Sequence, residues 1–276
     1  MDRIRLIASD MDATLLDEQS QLPADFEETI HALAELGIRF APASGRPLYT
    51  LEAMFPTLRD ELLFIGDNGG AIRWNGQNLF TSEMSPEGWR ALNRLTREQG
   101  DIAVLCGLES AYVERPFAVH DAVLRHFYTK IEYVDRLEDV TAPADKFTIY
   151  LPQHNAQQAY DTVYASQRSI YSVAVAGECW VDIMNPGVHK GAALQTLGQL
   201  WGLPSESIMA FGDTYNDAEM LQTVRYGFLM KNGSVPLRQK VPFLAPSHRE
   251  AGVMQVLHRV LAQNGCVCPE DFVPAH

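Results

Sequence analysis

Residues 4–16 read IRLIASDMDATLL, and this stretch decides the fold. The apolar run from Ile4 to Ser9 predicts a buried strand, and side chains two apart in an extended chain point the same way. Asp10 and Asp12 are therefore expected to face one side, with Met11 turned towards the core. Two like charges at a strand end are costly unless a cation or a reacting proton relieves the repulsion. The pair indicates a metal site, an acid–base site or both, unless the two aspartates merely cap a turn.

A second apolar run, Phe40 to Ser44, leads into the sequence Ser44-Gly45-Arg46-Pro47 and then into a helical pattern. Pro47 suits the first helical position, where its missing N–H is no loss. A serine hydroxyl and free backbone N–H groups at a helix start form an anion site. The alternative is that Ser44 is only an N-cap.

A third segment, Pro186 to Leu194, opens an amphipathic helix that Gly202 is expected to end. Lys190 lies in its first turn, where the helix dipole disfavours a cation. A nearby anion would explain this lysine, and a solvated surface position is the alternative.

A further buried strand, Ile208 to Gly212, delivers Asp213 at the same strand-end position as Asp10. Asn216 and Asp217 follow, and either is also an ordinary cap for the helix that comes next.

In this order, these segments resemble the four motifs of the haloacid dehalogenase superfamily, specifically its Cof-type phosphatases. The motifs are DMDATLL (10–16), SGRP (44–47), Lys190 and GDTYND (212–217). Asn68-Gly69-Gly70 and the segments 226–233 and 248–253 also resemble that group. The similarity covers nearly the whole chain, and four ordered motifs are far more specific than any one of them.

The resemblance implies an α/β fold with a Rossmann-like parallel-sheet core and an inserted α/β cap domain. Motif residues fall only in 1–81 and 186–276, so we expect these to form the two parts of the core. Residues 82–185 mix strand and helix patterns and are expected to form the cap.

The resemblance also implies a role for each motif residue. Asp10 would attack phosphorus to give an aspartyl-phosphate, and Asp12 would act as general acid and base. Mg²⁺ would be held by the side chains of Asp10 and Asp213 and by the backbone carbonyl of Asp12. Asp217 would support these ligands without contacting the ion. The phosphoryl oxygens would be held by Ser44, the N–H of Gly45, Lys190 and Asn216.

Two departures from the family pattern concern loops. Ala13 stands where glycine is usual, which predicts a backbone without a positive φ at that position. Lys231-Asn232-Gly233 replaces a more usual Gly-Asn-Ala.

Composition agrees with an enzyme of the cytoplasm. The chain has 276 residues, 46% of them hydrophobic, and a net charge of −13, which argues against nucleic acid and anionic membranes as partners. No signal peptide or membrane-length apolar run is apparent. Four cysteines form no disulfide framework. Cys266 and Cys268 are expected in a tail, with no metal role assigned.

The favoured function is a Mg²⁺-dependent phosphatase of small phosphorylated metabolites, with sugar phosphates as the expected class. A phosphomutase of the phosphomannomutase type and a non-catalytic sensor of phosphorylated ligands stay open, and a response-regulator receiver ranks last because such domains are much shorter. Natural substrate and oligomeric state are not readable. His120, Arg125, Lys146 and Glu178 are candidates for cap residues that set specificity.

Overall fold

The computed structural model describes residues 1–276. Its strands are β1 (Asp2–Arg3), β2 (Leu6–Ser9), β3 (Arg39–Pro42), β4 (Leu63–Gly66), β5 (Ala71–Trp74), β6 (Gln77–Thr81), β7 (Ile102–Gly107), β8 (Ala111–Glu114), β9 (Ile131–Val134), β10 (Ala144–Tyr150), β11 (Ser172–Val175), β12 (Trp180–Met184), β13 (Ile208–Gly212), β14 (Tyr226–Met230), β15 (Phe243–Ala245), β16 (Cys266–Val267) and β17 (Val273–Pro274). The α-helices are α1 (Phe26–Glu35), α2 (Leu48–Ala53), α3 (Pro86–Gln99), α4 (Asp121–Phe127), α5 (Ala156–Thr162), α6 (Lys190–Trp201), α7 (Ala218–Thr223) and α8 (Gly252–Ala262). None of the helices has the length and apolarity needed to span a bilayer.

The central sheet has the strand order β17-β15-β14-β13-β2-β3, and it is parallel except at β17. Both faces are covered by apolar residues, which explains why β2 reads as a continuous apolar run. Successive side chains of β2 alternate between the two layers, because Ile7 packs in one apolar cluster while Leu6 and Ala8 pack in the other. This is the α/β fold expected for the core.

A second sheet, ordered β11-β12-β10-β7-β8-β9, is formed only by strands between residues 102 and 184. One of its faces packs against helices that include α3 and α5, through residues such as Trp89 and Ala156. The other face carries a cluster rich in aromatic side chains, including Tyr128, Tyr150 and Trp180. This sheet lies in the segment predicted to form the cap, and the boundaries at 81/82 and 185/186 stay a prediction.

The hairpin region after the second motif forms a small third sheet, β4-β5-β6. A parallel bridge between Ala43 and Ile65 joins it to the end of β3. Asn68 lies in the turn between β4 and β5 and has a left-handed backbone, with a φ of 54°. Asn-Gly is a favoured sequence for such a turn, because asparagine and glycine tolerate a positive φ.

The segment around Cys266 does not form the expected tail. β16 pairs antiparallel with β1, which places Arg3 opposite Cys266, and Val267 is fully buried in the core. Burial of Val267 holds the segment against the domain. All four cysteines are free thiols.

Candidate active site

The first and fourth motifs meet at the carboxyl edge of the central sheet. Asp10 follows β2 and Asp213 follows β13, and these neighbouring parallel strands are paired so that Ser9 lies opposite Phe211. Their carboxyl ends are therefore aligned, at the edge where ligands bind in open α/β sheets. Oxygens of Asp10, Asp213 and Asp217 all lie within 4.8 Å of one another.

Lys190 connects the third motif to these carboxylates. Its side chain is fully buried, and Nζ lies 2.5 Å from Oδ1 of Asp10 and 2.6 Å from Oδ1 of Asp217. The anion expected near this lysine is therefore present as two carboxylates, and the solvated surface position is wrong. His189 acts as the N-cap of α6, because its Nδ1 accepts a hydrogen bond from the N–H of Ala192 at 3.1 Å.

Asp217 has hydrogen bonds on both carboxylate oxygens. One accepts from Lys190, and the other accepts from the backbone N–H groups of Asp213 and Thr214 at 3.0 and 3.2 Å. These contacts fix the lysine and the loop that carries Asp213. Asp217 therefore supports the site and closes the turn that begins at Thr214, but its side chain makes no capping hydrogen bond to α7, the helix that the sequence expectation had it cap.

The charges at this edge are unbalanced, since three carboxylates surround one lysine. Burial, aided by Asp217, raises the pKa of Asp10 to about 8, against the opposing effect of Lys190. Burial and Asp217 also raise the pKa of Asp213 to about 6. A divalent cation with oxygen ligands would relieve this repulsion and keep both groups ionised. The donor set therefore fits Mg²⁺.

Asp12 is held differently from Asp10. Its carboxylate is about half exposed, at 57%, and both of its oxygens accept from Nη2 of Arg46 at 3.0 and 3.1 Å. Met11, between the two aspartates, is fully buried in the core as expected. Arg46 belongs to the second motif, although no role was expected for it.

The expectation for Ala13 is wrong, because its backbone is left-handed with a φ of 59°. The side chain of Asn232 compensates by donating a hydrogen bond to the Ala13 carbonyl at 2.8 Å, and its Oδ1 accepts from the N–H of His248 at 3.0 Å. The two departures from the family pattern are thus in contact. Tertiary hydrogen bonds hold a turn that the alanine disfavours by about 1–2 kcal/mol.

Ser44, Gly45 and Asn216 line one cleft together with Asp12, in a cavity of about 700 Å³. Asp10, Asp213 and Lys190 are not among its lining residues. Ser44 Oγ accepts from the N–H of Arg46 at 3.1 Å, whereas α2 is preceded by Pro47 as its N-cap residue. Ser44 is thus a turn residue of the cleft and not the cap of α2.

Of the four cap candidates, only Lys146 and Glu178 line the cleft. His120 packs edge-on against Tyr150 at 5.4 Å, and Arg125 pairs with Asp121 at 2.9 Å. Neither lines the cavity, although Phe127 at the end of α4 does.

Lys146 joins the cap sheet to the core. Its buried Nζ donates to the carbonyl of Gly45 at 2.6 Å and pairs with Asp67 at 2.9 Å, with Asp182 at 3.8 Å. Asp145 is buried beside this group, and burial raises its pKa well above the ordinary value, as Asp67 also does. Lys146 therefore supplies the positive charge inside a buried acidic cluster next to the phosphate loop.

Several cleft residues were missed by the sequence analysis. Arg46 and Asn68 lie inside the SGRP and Asn68-Gly69-Gly70 segments, so these motifs could have identified them as site residues. Asp182 accepts from Asn68 at 3.2 Å, and Phe127 and Trp180 form part of the cleft wall. No local pattern marks these cap residues, since the cap sheet brings them together.

Comparison with known proteins agrees with this geometry. The family model of haloacid dehalogenase-like hydrolases matches residues 7–257. The chain is 31% identical over 262 residues to the 5-amino-6-(5-phospho-D-ribitylamino)uracil phosphatase YbjI of Escherichia coli K12, covering 94% of this chain and 96% of that protein. It is 31% identical to the HMP-PP phosphatase of Cronobacter sakazakii, covering 87% and 89% of the two chains.

The crystal structure of SMU.1108c from Streptococcus mutans UA159 superposes with a TM-score of 0.83 at 28% identity, covering 94% of this chain and 99% of that one. Both the sequence and the architecture are thus shared along almost the full length. The chain belongs to the haloacid dehalogenase-like hydrolases, as a phosphatase of that family.

Proposed function

We propose that this phosphatase hydrolyses phosphate monoesters of small metabolites, with sugar phosphates as the first class to test, through an aspartyl-phosphate on Asp10 and with Mg²⁺ as its metal. One observation carries the proposal. Asp10, Asp213 and Asp217 lie together at the carboxyl edge of the sheet, two of them paired with Lys190, beside a cleft lined by Ser44 and its neighbours.

In the first step, a carboxylate oxygen of Asp10 attacks phosphorus as the bond to the leaving oxygen breaks. Lys190 holds Asp10 by one oxygen and so fixes the orientation of the nucleophile. Asp12 gives its proton to the leaving oxygen, which departs as an alcohol. Covalent catalysis thereby divides one difficult displacement into two easier ones.

In the second step, Asp12, now ionised, takes a proton from a water molecule that attacks phosphorus. The bond to Asp10 breaks, inorganic phosphate leaves, and both aspartates return to their starting states. The Arg46 guanidinium donates hydrogen bonds to both oxygens of Asp12 and so holds the carboxylate in place. One of the two hydrogen bonds from Arg46 to Asp12 must therefore be lost when Asp12 is protonated.

Asp10 and Asp213, with the backbone carbonyl of Asp12, would hold Mg²⁺, while Asp217 keeps the lysine and the Asp213 loop in place. When bound, the ion would neutralise negative charge on the phosphoryl group and on the carboxylates. Ser44, the N–H of Gly45 and Asn216 offer donors to the phosphoryl oxygens. Lys190 has three N–H donors and uses two on carboxylates, so one stays free for the substrate.

We also propose that residues 1–81 and 186–276 form the catalytic core and that 82–185 form its cap. The cap reaches the core through Lys146 on Gly45, through Asn68 on Asp182, and through the N–H of Thr129, which donates to Thr50 Oγ1 at 3.0 Å. A cleft enclosed in this way suits a small metabolite better than a polymer.

The test is phosphate release from p-nitrophenyl phosphate and from a panel of phosphorylated metabolites. We expect turnover with Mg²⁺, loss of turnover after chelation by EDTA, and recovery when Mg²⁺ is added back. No bisphosphate activator should be needed, which separates hydrolysis from a mutase reaction. Continued turnover after exhaustive chelation would contradict the metal assignment, and no turnover on any substrate would contradict the proposal as a whole.

A further inference from the structure

We infer that Asp145 holds a proton and donates it to Asp67, so that a carboxyl pair joins the cap sheet to the core. Asp145 lies on β10, and Asp67 lies in the turn between β4 and β5. Contact between these two elements would take up one proton, and their separation would release it. The inference is independent of the proposed function, because neither residue lines the cleft.

A bulge in β10 takes the Asp145 side chain out of the regular alternation. The register of β10 against β7 shifts between Ala144 and Lys146, which leaves Asp145 as an extra residue. Ala144 packs in the same apolar cluster as Phe147, although residues three apart in a regular strand lie on opposite faces. The bulge therefore allows Asp145 and Lys146, which are adjacent in sequence, to face the core together.

Asp145 is fully buried against the backbone of the core. A Cβ atom placed on Gly70 would lie 3.1 Å from Oδ2 of Asp145 and 3.1 Å from the Asp67 carbonyl. The Gly70 carbonyl accepts a hydrogen bond from the N–H of Ser82 at 2.7 Å, beside the proposed boundary of the cap. The carboxyl group of Asp145 is within hydrogen-bonding reach of the Asp67 carboxylate. The two acids therefore meet across the interface between core and cap.

The charges at this interface are unbalanced. Three buried carboxyl groups share the positive charge of Lys146, those of Asp67, Asp145 and Asp182. Asp182 accepts hydrogen bonds from Asn68 and Thr148 at 3.2 and 2.8 Å, and Asp67 lies 2.9 Å from Lys146 Nζ. Neither oxygen of Asp145 accepts a hydrogen bond. A bound proton removes the cost of burying an unpaired carboxylate and turns Asp145 into a donor to Asp67.

The electrostatics agree with one proton shared by the pair. Burial, with a contribution from Asp67, raises the pKa of Asp145 well above its ordinary value. Burial also raises the pKa of Asp67, against the opposing effect of Lys146. Because Lys146 lies beside Asp67 and favours its ionised form, the proton stays on Asp145.

Other ionisable side chains on the surrounding elements keep their charge state near neutral pH. Burial raises the pKa of Cys106 on β7, of Tyr49 on α2 and of Tyr128 after α4, so these three stay neutral. Burial acts to lower the pKa of Lys146, but the neighbouring carboxylates of Asp182 and Asp67 raise it well above its ordinary value.

Arg73 is the charged residue of β5, the strand that follows Asp67. It forms ion pairs with Glu52 at 3.4 Å and with Glu109 at 2.6 Å. Its charge is therefore used by partners outside the carboxyl pair.

The contact should be strongest in acid and should weaken as the pH rises. When the two elements separate, Asp145 meets water and its pKa returns to about 3.9. Between that value and the raised pKa in the interface, only the closed form binds the proton. Separation is therefore favoured about tenfold more for each pH unit.

Infrared difference spectroscopy tests the bound proton, because a protonated carboxyl group has a carbonyl band that a carboxylate lacks. With Mg²⁺ present at neutral pH, the wild type should show this band and Asp145→Asn should lose it. Asp67→Asn should lose it too, because the new amide donates to Asp145 and Lys146 is free to pair with it. Asp139→Asn, at an exposed cap aspartate, is the control and should keep the band.

A wild type without the band, or a band that persists in Asp145→Asn, would overturn the bound proton. A band that persists in Asp67→Asn would overturn the pairing across the interface. Should Asp145→Asn not fold, the Asp10→Asn protein decides the matter. A band in that protein that disappears when Asp67→Asn is added supports the inference, and absence of the band overturns it.

Urea denaturation measures the same proton through stability. From about pH 6 to about pH 8, the equilibrium constant for unfolding should rise about tenfold more per pH unit in the wild type than in Asp145→Asn, whose amide releases no proton. Asp10 and Asp213 titrate alike in both proteins, so the difference between the two slopes isolates Asp145. Asp139→Asn should keep the wild-type slope. Equal slopes in the wild type and Asp145→Asn would overturn the inference.

Discussion

Loss of the Asp10 carboxylate should abolish phosphatase activity and leave the fold intact. An Asp10→Asn variant keeps the volume and a hydrogen-bond acceptor for Lys190, but an amide oxygen does not form an acyl-phosphate. We expect phosphate release to fall by about three orders of magnitude or more. Steady-state assays with circular dichroism check this, with Asp60→Asn as an exposed control. Turnover close to the wild type would exclude Asp10 as the nucleophile.

The backbone at Ala13 is strained, and substitution by glycine should relieve that strain. Its left-handed backbone costs an alanine about 1–2 kcal/mol, whereas glycine adopts it freely but loses about 0.4–1 kcal/mol through the unfolded chain. Ala13→Gly should therefore raise the free energy of unfolding by about 0.5–1 kcal/mol, measured by urea denaturation. Ala34→Gly, inside α1, should instead destabilise. Destabilisation by both changes would mean that the Asn232 contact already removes the strain.

The ends of β2 and β13 should make metal affinity depend on pH. Because the pKa of Asp10 is raised to about 8 and that of Asp213 to about 6, protons compete with a cation below these values. Mg²⁺ affinity should therefore rise from pH 5.5 to 8.5 and then level off. Calorimetric titration across this range checks the trend, with Asp213→Asn binding weakly throughout. Equal affinity at both ends of the range would contradict the assignment of these ligands.

Strand ends were predictable from the sequence, and contacts between distant elements were not. Asp10 and Asp213 each follow a buried apolar run, and parallel pairing then forces them together. The conformation of Ala13 depends on Asn232, which lies far along the chain. Phe127 and Trp180 meet only after β10 and β12 pair and α4 packs on them, so their local sequence carries no sign of a cleft.

The contact between β10 and the phosphate loop should be a stability element. Lys146 is the buried cation among Asp67, Asp145 and Asp182, so a Lys146→Met variant would leave buried carboxylates without their partner. We expect a loss of about 3–5 kcal/mol in the free energy of unfolding. Urea denaturation measures this, with Lys130→Met as a control at an exposed lysine. A variant of unchanged stability that only shifts substrate preference would show that Lys146 acts on the substrate instead.

At the scale of the whole molecule, the net charge of −13 opposes the binding of any phosphorylated substrate. Because carboxylates outnumber Lys190 at the sheet edge, a bound divalent cation would be needed to overcome the global field, and this requirement is the same for every phosphate monoester. Discrimination among leaving groups needs contacts beyond the phosphate, and we expect cleft residues of the 82–185 segment to supply them. Catalysis and selectivity are thus expected to respond to different parts of the chain.

Glu178 and Arg125 test this division, since both are charged cap residues but only Glu178 lines the cleft. Removing the Glu178 charge helps all anionic substrates alike, so the informative quantity is a ratio of kcat/KM values. Glu178→Gln should lower kcat/KM for metabolite phosphates relative to p-nitrophenyl phosphate by about three- to tenfold, because a carboxylate accepts stronger hydrogen bonds than an amide. Arg125→Gln should leave the ratio unchanged. Equal ratios in both variants would mean that substrate selection lies in the core.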